Sequence, residues 1–142
     1  MSLDDLYQEI ILDHYKNPRG EGKIDNPDAQ ARDSNPSCGD ELELYLKLNG
    51  ERIEKVKFQG EGCAISMSAA SLMVQKLEGK TVTEAFDLLE KFKKMITSES
   101  PGTEKLREKL GDLIALKGVT KFPIRVKCAS LPWDTLQRAL EE

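Results

Sequence analysis

A chain of 142 residues is long enough to bury a core as one domain without staples. Charged residues at 32% beside hydrophobic residues at 39% make an ordinary globular balance and exclude a disordered chain. The net charge of −4 gives no bulk attraction to nucleic acid or to an anionic membrane, and the longest apolar run, Leu113–Leu116, is far too short to span a bilayer.

The chain opens with Asp4, Asp5, Glu9 and Asp13 before its first basic residue, Lys16. A secretory signal has the opposite charge order, so the cytoplasm is the expected location. Residues 3–16 read as an amphipathic helix, with Leu3, Leu6, Tyr7, Ile10, Ile11 and His14 on one apolar stripe. Ser2 is a candidate N-cap. Asn17-Pro18 stops the helix, because a proline disfavours helical backbone in the residue before it. Residues 17–37 read as irregular, with room for one short strand around 28–34.

Residues 41–48 alternate strictly, and Leu42, Leu44, Leu46 and Leu48 predict one buried strand face. Asn49-Gly50 is a hairpin signal. Residues 52–59 continue the alternation, with a slip near Glu54 that a bulge explains. Gly60-Glu61-Gly62 ends the sheet. Ile65, Ala69, Leu72, Met73 and Leu77 then mark a helix that stops at Gly79. Thr81 and Glu84 fit a capping box for the next helix, with Val82, Phe86, Leu89, Phe92 and Ile96 on one side. Residues 97–103 read as a loop, followed by short helices through Leu116. The last element spans about Pro123 to Leu140. Helix, then strands, then helices predicts a single-domain α+β fold: a small antiparallel three-stranded sheet with helices packed on one face.

The three cysteines cannot form a closed disulfide framework, and the single histidine excludes a histidine-rich metal site. Thiolates are therefore the expected carriers of any chemistry. Cys38 lies in Asn35-Pro36-Ser37-Cys38-Gly39-Asp40, where a flexible glycine lets a thiolate and a carboxylate reach one site. Cys63 follows Gly60-Glu61-Gly62 at a helix N-terminus, which favours negative charge. Cys128 stands four residues before Pro132, whose ring leaves the Cys128 carbonyl without its helical donor. Between Leu113 and Trp133 the only charged residues are Lys117, Lys121, Arg125 and Lys127, a local field that favours a thiolate. Singly, each cysteine could be a small buried hydrophobe. Together with Asp40, the three suit a tetrahedral zinc site, and thiolates also suit iron–sulfur clusters.

At this point the sequence resembles a known family. Tyr7-x-x-x-Ile11-x-Asp13-His14-Tyr15-x-Asn17-Pro18-Arg19-Gly20, Pro36-x-Cys38-Gly39-Asp40, Gly62-Cys63-Ala64-Ile65-Ser66 and Lys127-Cys128 are similar to the IscU/NifU-type scaffolds of iron–sulfur cluster assembly. The likeness runs along essentially the whole chain, 1–142. The long separation of Cys63 from Cys128, and the stretch from Leu116 to Cys128, resemble the SufU branch. Lys127 stands where the IscU branch has a histidine. Lys121-Phe122-Pro123-Ile124-Arg125 replaces that branch's Leu-Pro-Pro-Val-Lys chaperone motif.

The resemblance implies a pyridoxal-phosphate cysteine desulfurase as partner and iron–sulfur proteins as recipients, with no role for nucleic acid or membrane. It implies Cys38 as the persulfide acceptor, and Cys38, Asp40, Cys63 and Cys128 as ligands of Zn²⁺ or of a transient [2Fe–2S] cluster. His14, Arg125 and Lys127 are supporting or partner-facing candidates. Three readings stay open: a cluster scaffold, a zinc-dependent sulfurtransferase that never holds a cluster, and a structural zinc module with inert thiols. Whether the chain is an enzyme in its own right is left open with them.

Overall fold

The computed structural model describes residues 3–36, 39–97, 108–121 and 123–141. Ser2, the candidate N-cap, and most of the expected loop 97–103 lie outside them. Helix α1 (Leu3–Lys16) leads into a meander of β1 (Ala29–Asn35), β2 (Asp40–Asn49) and β3 (Arg52–Glu61). Helices α2 (Ala64–Leu77) and α3 (Val82–Thr97) follow, then a 3₁₀ segment (Gly111–Lys121) and helix α4 (Pro123–Glu141). The sheet is antiparallel in the order β1-β2-β3. The expected single-domain α+β fold is therefore the observed one.

The leucine alternation sets the inner sheet face. Leu42, Leu44 and Leu46 are at most 1% exposed, together with Ile53, Val56 and Phe58 from β3. Leu48, expected inside, is only partly buried against that core. Lys47 pairs with Lys55 but Leu48 with Ile53, so Glu54 is the extra residue of a bulge, where the slip was expected. The hairpin turns on Gly50-Glu51, with Gly50 at φ +63°.

Helix α2 is buried on nearly every side, from Ser66 to Val74 and again at Leu77. Its serines are buried because each hydroxyl has a partner. Ser66 donates to the Cys63 carbonyl at 3.1 Å and Ser68 to the Ile65 carbonyl at 3.2 Å, while Ser71 meets His14 and Arg19. The capping box of α3 is complete. The Thr81 N–H donates to Glu84 and the Glu84 N–H to the Thr81 hydroxyl, both at 3.1 Å. Trp133 of α4 stacks on Phe92 of α3 with ring centroids 5.0 Å apart.

On α1 an expected inner position is exposed. Leu6 is 45% exposed, alongside Leu12 and Tyr15. At about 100° per residue, Leu6 lies about 90° from the centre of the Tyr7, Ile10, Ile11 and His14 stripe. The face that packs on α2 is narrower than the sequence pattern suggests.

Helix α4 runs through Pro132 and packs along β1. Arg138 donates to the Arg32 carbonyl at 2.9 Å and pairs with Asp33, and Thr135 lies 3.5 Å from the Asp33 carboxylate. Ala31, Asp33 and Asn35 alternate to the α4 side of β1, while Cys128, Leu131, Thr135 and Arg138 recur at helical spacing. These two rows fix the position of Cys128 over the end of β1.

Candidate metal centre

Three elements meet at one place. Asp40 is the first residue of β2, Cys63 is the N-cap of α2, and Cys128 lies in α4. One ligand atom from each of Asp40, Cys63 and Cys128 lies within 4.8 Å of the others. Asp40 and Cys128 are each 1% exposed, whereas Cys63 is partly open.

The two carboxylate oxygens of Asp40 have separate tasks. Oδ1 accepts the Cys63 backbone N–H at 2.8 Å, and Oδ2 lies 3.9 Å from Cys63 Sγ. The first fixes the carboxylate at the N-terminus of α2, where the helix dipole favours a negative group. The second leaves one oxygen on the sulfur side as a single-atom ligand. Gly62 makes this approach possible: a Cβ there would stand 2.4 Å from Asp40 Oδ1 and 2.7 Å from Ser66 Oγ. Ser66 Oγ also lies 3.7 Å from Cys63 Sγ.

The donor set fits a thiophilic metal. Around tetrahedral zinc, with bonds of about 2.0–2.3 Å, neighbouring ligand atoms stand about 3.5–3.8 Å apart. The 3.9 Å between Cys63 Sγ and Asp40 Oδ2 needs almost no adjustment. Two thiolates and a carboxylate suit Zn²⁺, and the thiolates also suit iron.

Of the expected site residues, Asp40, Cys63 and Cys128 are brought together. Cys38 lies outside the described residues. Arg125 and Lys127 are exposed on α4. Lys117, part of the expected basic field, instead donates to the Met95 carbonyl near the end of α3 at 3.1 Å.

His14 is outside the cluster and 3% exposed, with Nδ1 at 2.7 Å from Ser71 Oγ. The same hydroxyl oxygen accepts the Arg19 backbone N–H at 2.8 Å. Burial pushes the imidazole below its ordinary value, and the Arg19 charge adds to this against weaker opposition from Asp13 and Asp112. A depressed folded value means the folded chain binds the proton less readily than the unfolded chain. The stability tied to His14 is thus complete above the unfolded value of about 6.5 and falls as the pH drops through the folded value. The melting temperature of the wild type is expected to fall further between pH 7.5 and 5.5 than that of His14→Gln. Equal falls would show that His14 carries no such term.

Two contributors were not assigned from sequence. Asn35 is 8% exposed, and its amide lies 3.9 Å from Cys128 Sγ. For Gly62 the sequence gives a strand breaker that allows close backbone approach, but not Asp40 as the group that approaches. An amide one residue past the edge of a predicted strand carries no signal of its own until the sheet register is known.

Among the described residues no helix is long and apolar enough to cross a membrane. The NifU-like N-terminal domain family matches residues 6–129. The zinc-dependent sulfurtransferase SufU of Bacillus subtilis (strain 168) is 42% identical over 139 residues, covering 98% of this chain and 92% of that protein. The iron–sulfur cluster assembly scaffold protein IscU of Streptococcus pyogenes serotype M1 is 36% identical over 139 residues, covering 98% of this chain and 85% of that protein. A crystal structure of FiSufU from the thermophile Fervidobacterium islandicum AW-1 superposes with a TM-score of 0.87 at 37% identity, covering 98% of this chain and 99% of that one.

Proposed function

From a chain that belongs to the NifU-like N-terminal domain family, we propose a protein of iron–sulfur cluster biogenesis that accepts persulfide sulfur from a pyridoxal-phosphate cysteine desulfurase. The reading takes residues 1–142 as one domain of this kind, working in the cytoplasm. The observation that carries it is the convergence of Asp40, Cys63 and Cys128 from three separate elements. Cys38, two residues before Asp40 in the sequence, is the fourth ligand and the sulfur acceptor.

The transfer is an exchange without net oxidation. The Cys38 thiolate attacks the outer sulfur of the donor's persulfide, a new S–S bond forms, and the donor cysteine leaves as a thiolate. The acceptor belongs on the link between β1 and β2, because Cys63 and Cys128 are each tied to a helix. Bound Zn²⁺ supplies positive charge that keeps its thiolate ligands ionised. Asp40 and the Cys63 N–H hold that cluster in register. Arg125 and Lys127, exposed beside Cys128, suit a partner-facing role, and His14 supports the packing of α1 on α2. Sulfur then passes to iron–sulfur recipients.

Two forms of this reading differ in cargo. Lys127 offers no ring nitrogen next to Cys128, which favours the sulfurtransferase form named for the Bacillus relative. The thiolate-rich donor set, with an IscU relative at 36% identity, favours the scaffold form. Anaerobic reconstitution with iron, cysteine and a desulfurase tests both. Zinc-dependent stimulation of the desulfurase without a visible chromophore is expected for sulfur relay, and a stable [2Fe–2S] absorption for the scaffold. If Cys38 is fully protected from alkylation in the zinc-loaded protein, and no desulfurase forms a persulfide on it, the site is structural and both forms fail.

A further inference from the structure

The geometry points to Asn35 as a positioning residue for the metal centre: its side-chain amide donates to Cys128 Sγ and holds that thiolate as a ligand. The inference rests on the metal-site reading above.

Asn35 closes β1 and pairs directly across from Asp40, the first residue of β2. In the sequence, Cys38 lies between these two residues. Asn35 therefore sits beside one expected ligand in the ladder, while its side chain turns toward another. Its Nδ2 is 3.9 Å from Cys128 Sγ, across 93 residues of sequence. The row Ala31, Asp33, Asn35 faces α4, and the Asp33 contacts with Arg138 and Thr135 fix the slide of β1 against that helix. The amide thus meets the sulfur through a packed, hydrogen-bonded frame.

Charge gives the reason for a donor there. Three thiolates and one carboxylate around a divalent cation leave the site negative, and two of its members, Asp40 and Cys128, are each 1% exposed. Water cannot offset that charge, so protein donors must. Asp40 receives the Cys63 N–H, and Cys128 receives the Asn35 amide. A neutral amide suits the place. It offers N–H groups to a sulfur while adding no charge that would compete with the metal for the thiolate. A hydrogen bond to a metal-bound sulfur draws electron density from it, lowering its donation to the metal and its nucleophilicity. The amide orients Cys128 as a ligand, and the damped nucleophilicity leaves attack on the incoming persulfide to another thiolate.

Cobalt substitution reads this directly. Co²⁺ takes zinc's place and shows a thiolate-to-metal charge-transfer band. In Asn35→Asp, which keeps the shape but replaces the donor by an oxygen, the band is expected at longer wavelength than in the wild type. Zinc affinity is expected to fall about tenfold or more despite the stronger sulfur donation, because the buried thiolate loses the partner that orients it and offsets its charge, the usual range for losing an outer partner of a metal ligand. Asn35→Leu, which has similar bulk and no donor, should move the band the same way. The melting temperature of the metal-free proteins separates a packing role from this one. Variants that melt lower but keep the wild-type band and affinity would overturn the inference. A wild-type protein with no thiolate band would instead remove the metal-site reading, and this inference with it.

Discussion

Replacing Cys128 with serine is expected to lower zinc affinity about a hundredfold while leaving the metal-free fold intact. Apparent structural zinc affinities of about 10–16 kcal/mol, shared among four ligands, give about 3 kcal/mol each, or about two decades in binding. Cys128 is 1% exposed, so bulk water does not stand ready to replace its sulfur. Serine keeps the volume, and its hydroxyl can accept from the Asn35 amide that faces the sulfur in the wild type. Its neutral oxygen is a poor zinc ligand. Titration against a chromophoric chelator measures the loss, and the stabilisation conferred by zinc should shrink by a matching amount. Cys63→Ser should behave alike, since both atoms belong to one cluster. Affinity within threefold of wild type in either variant would remove that residue from the ligand set.

The parts of this centre differ in how far the sequence reveals them. Local signals carry well. Strict leucine alternation predicts β2, Thr81 and Glu84 predict the cap of α3, and the slip near Glu54 predicts the bulge, because each depends only on neighbours along the chain. The residue types of the described site were legible too, since Cys63 and Cys128 beside caps and breakers, with Asp40 next to a glycine, fit no ordinary core stripe. What the spacing could not give is their meeting. That depends on the β1–β2 register, which sets Asn35 opposite Asp40, and on the Arg138 and Thr135 contacts that place α4 over β1. Leu6 fails for a related reason: the width of a buried stripe is fixed by the partner helix, which a single amphipathic pattern does not contain. Lys117 reads as part of a basic field until the end of α3 supplies a carbonyl for it.

Gly60→Ala should cost about 2–3 kcal/mol of stability, the range for forcing a methyl into a packed site and straining the hydrogen bonds beside it. A Cβ at Gly60 would stand 2.1 Å from the Glu41 carbonyl oxygen and 3.1 Å from Leu42 Cα, both backbone atoms of the paired strand. No rotamer can relieve that contact, so β2 and β3 must separate where Leu42 pairs with Gly60. The strained end of the ladder is also the end that carries the ligands. Asp40 precedes Glu41 in β2, and Cys63 lies two residues past Glu61, the end of β3, with the Cys63 N–H held by Asp40 at 2.8 Å. Zinc affinity is therefore expected to fall together with the melting temperature. Gly50→Ala is the matched control at the other end of the hairpin. Its Cβ meets nothing within 4 Å, so only the left-handed backbone at φ +63° is penalised, at about 1 kcal/mol. That variant should melt slightly lower and bind zinc as the wild type does. If both variants lose zinc in proportion to their melting temperatures, the centre depends on global stability rather than on the spacing of the strands at Gly60. If only Gly60→Ala loses zinc, the strand ends themselves set the distance between Asp40 and Cys63.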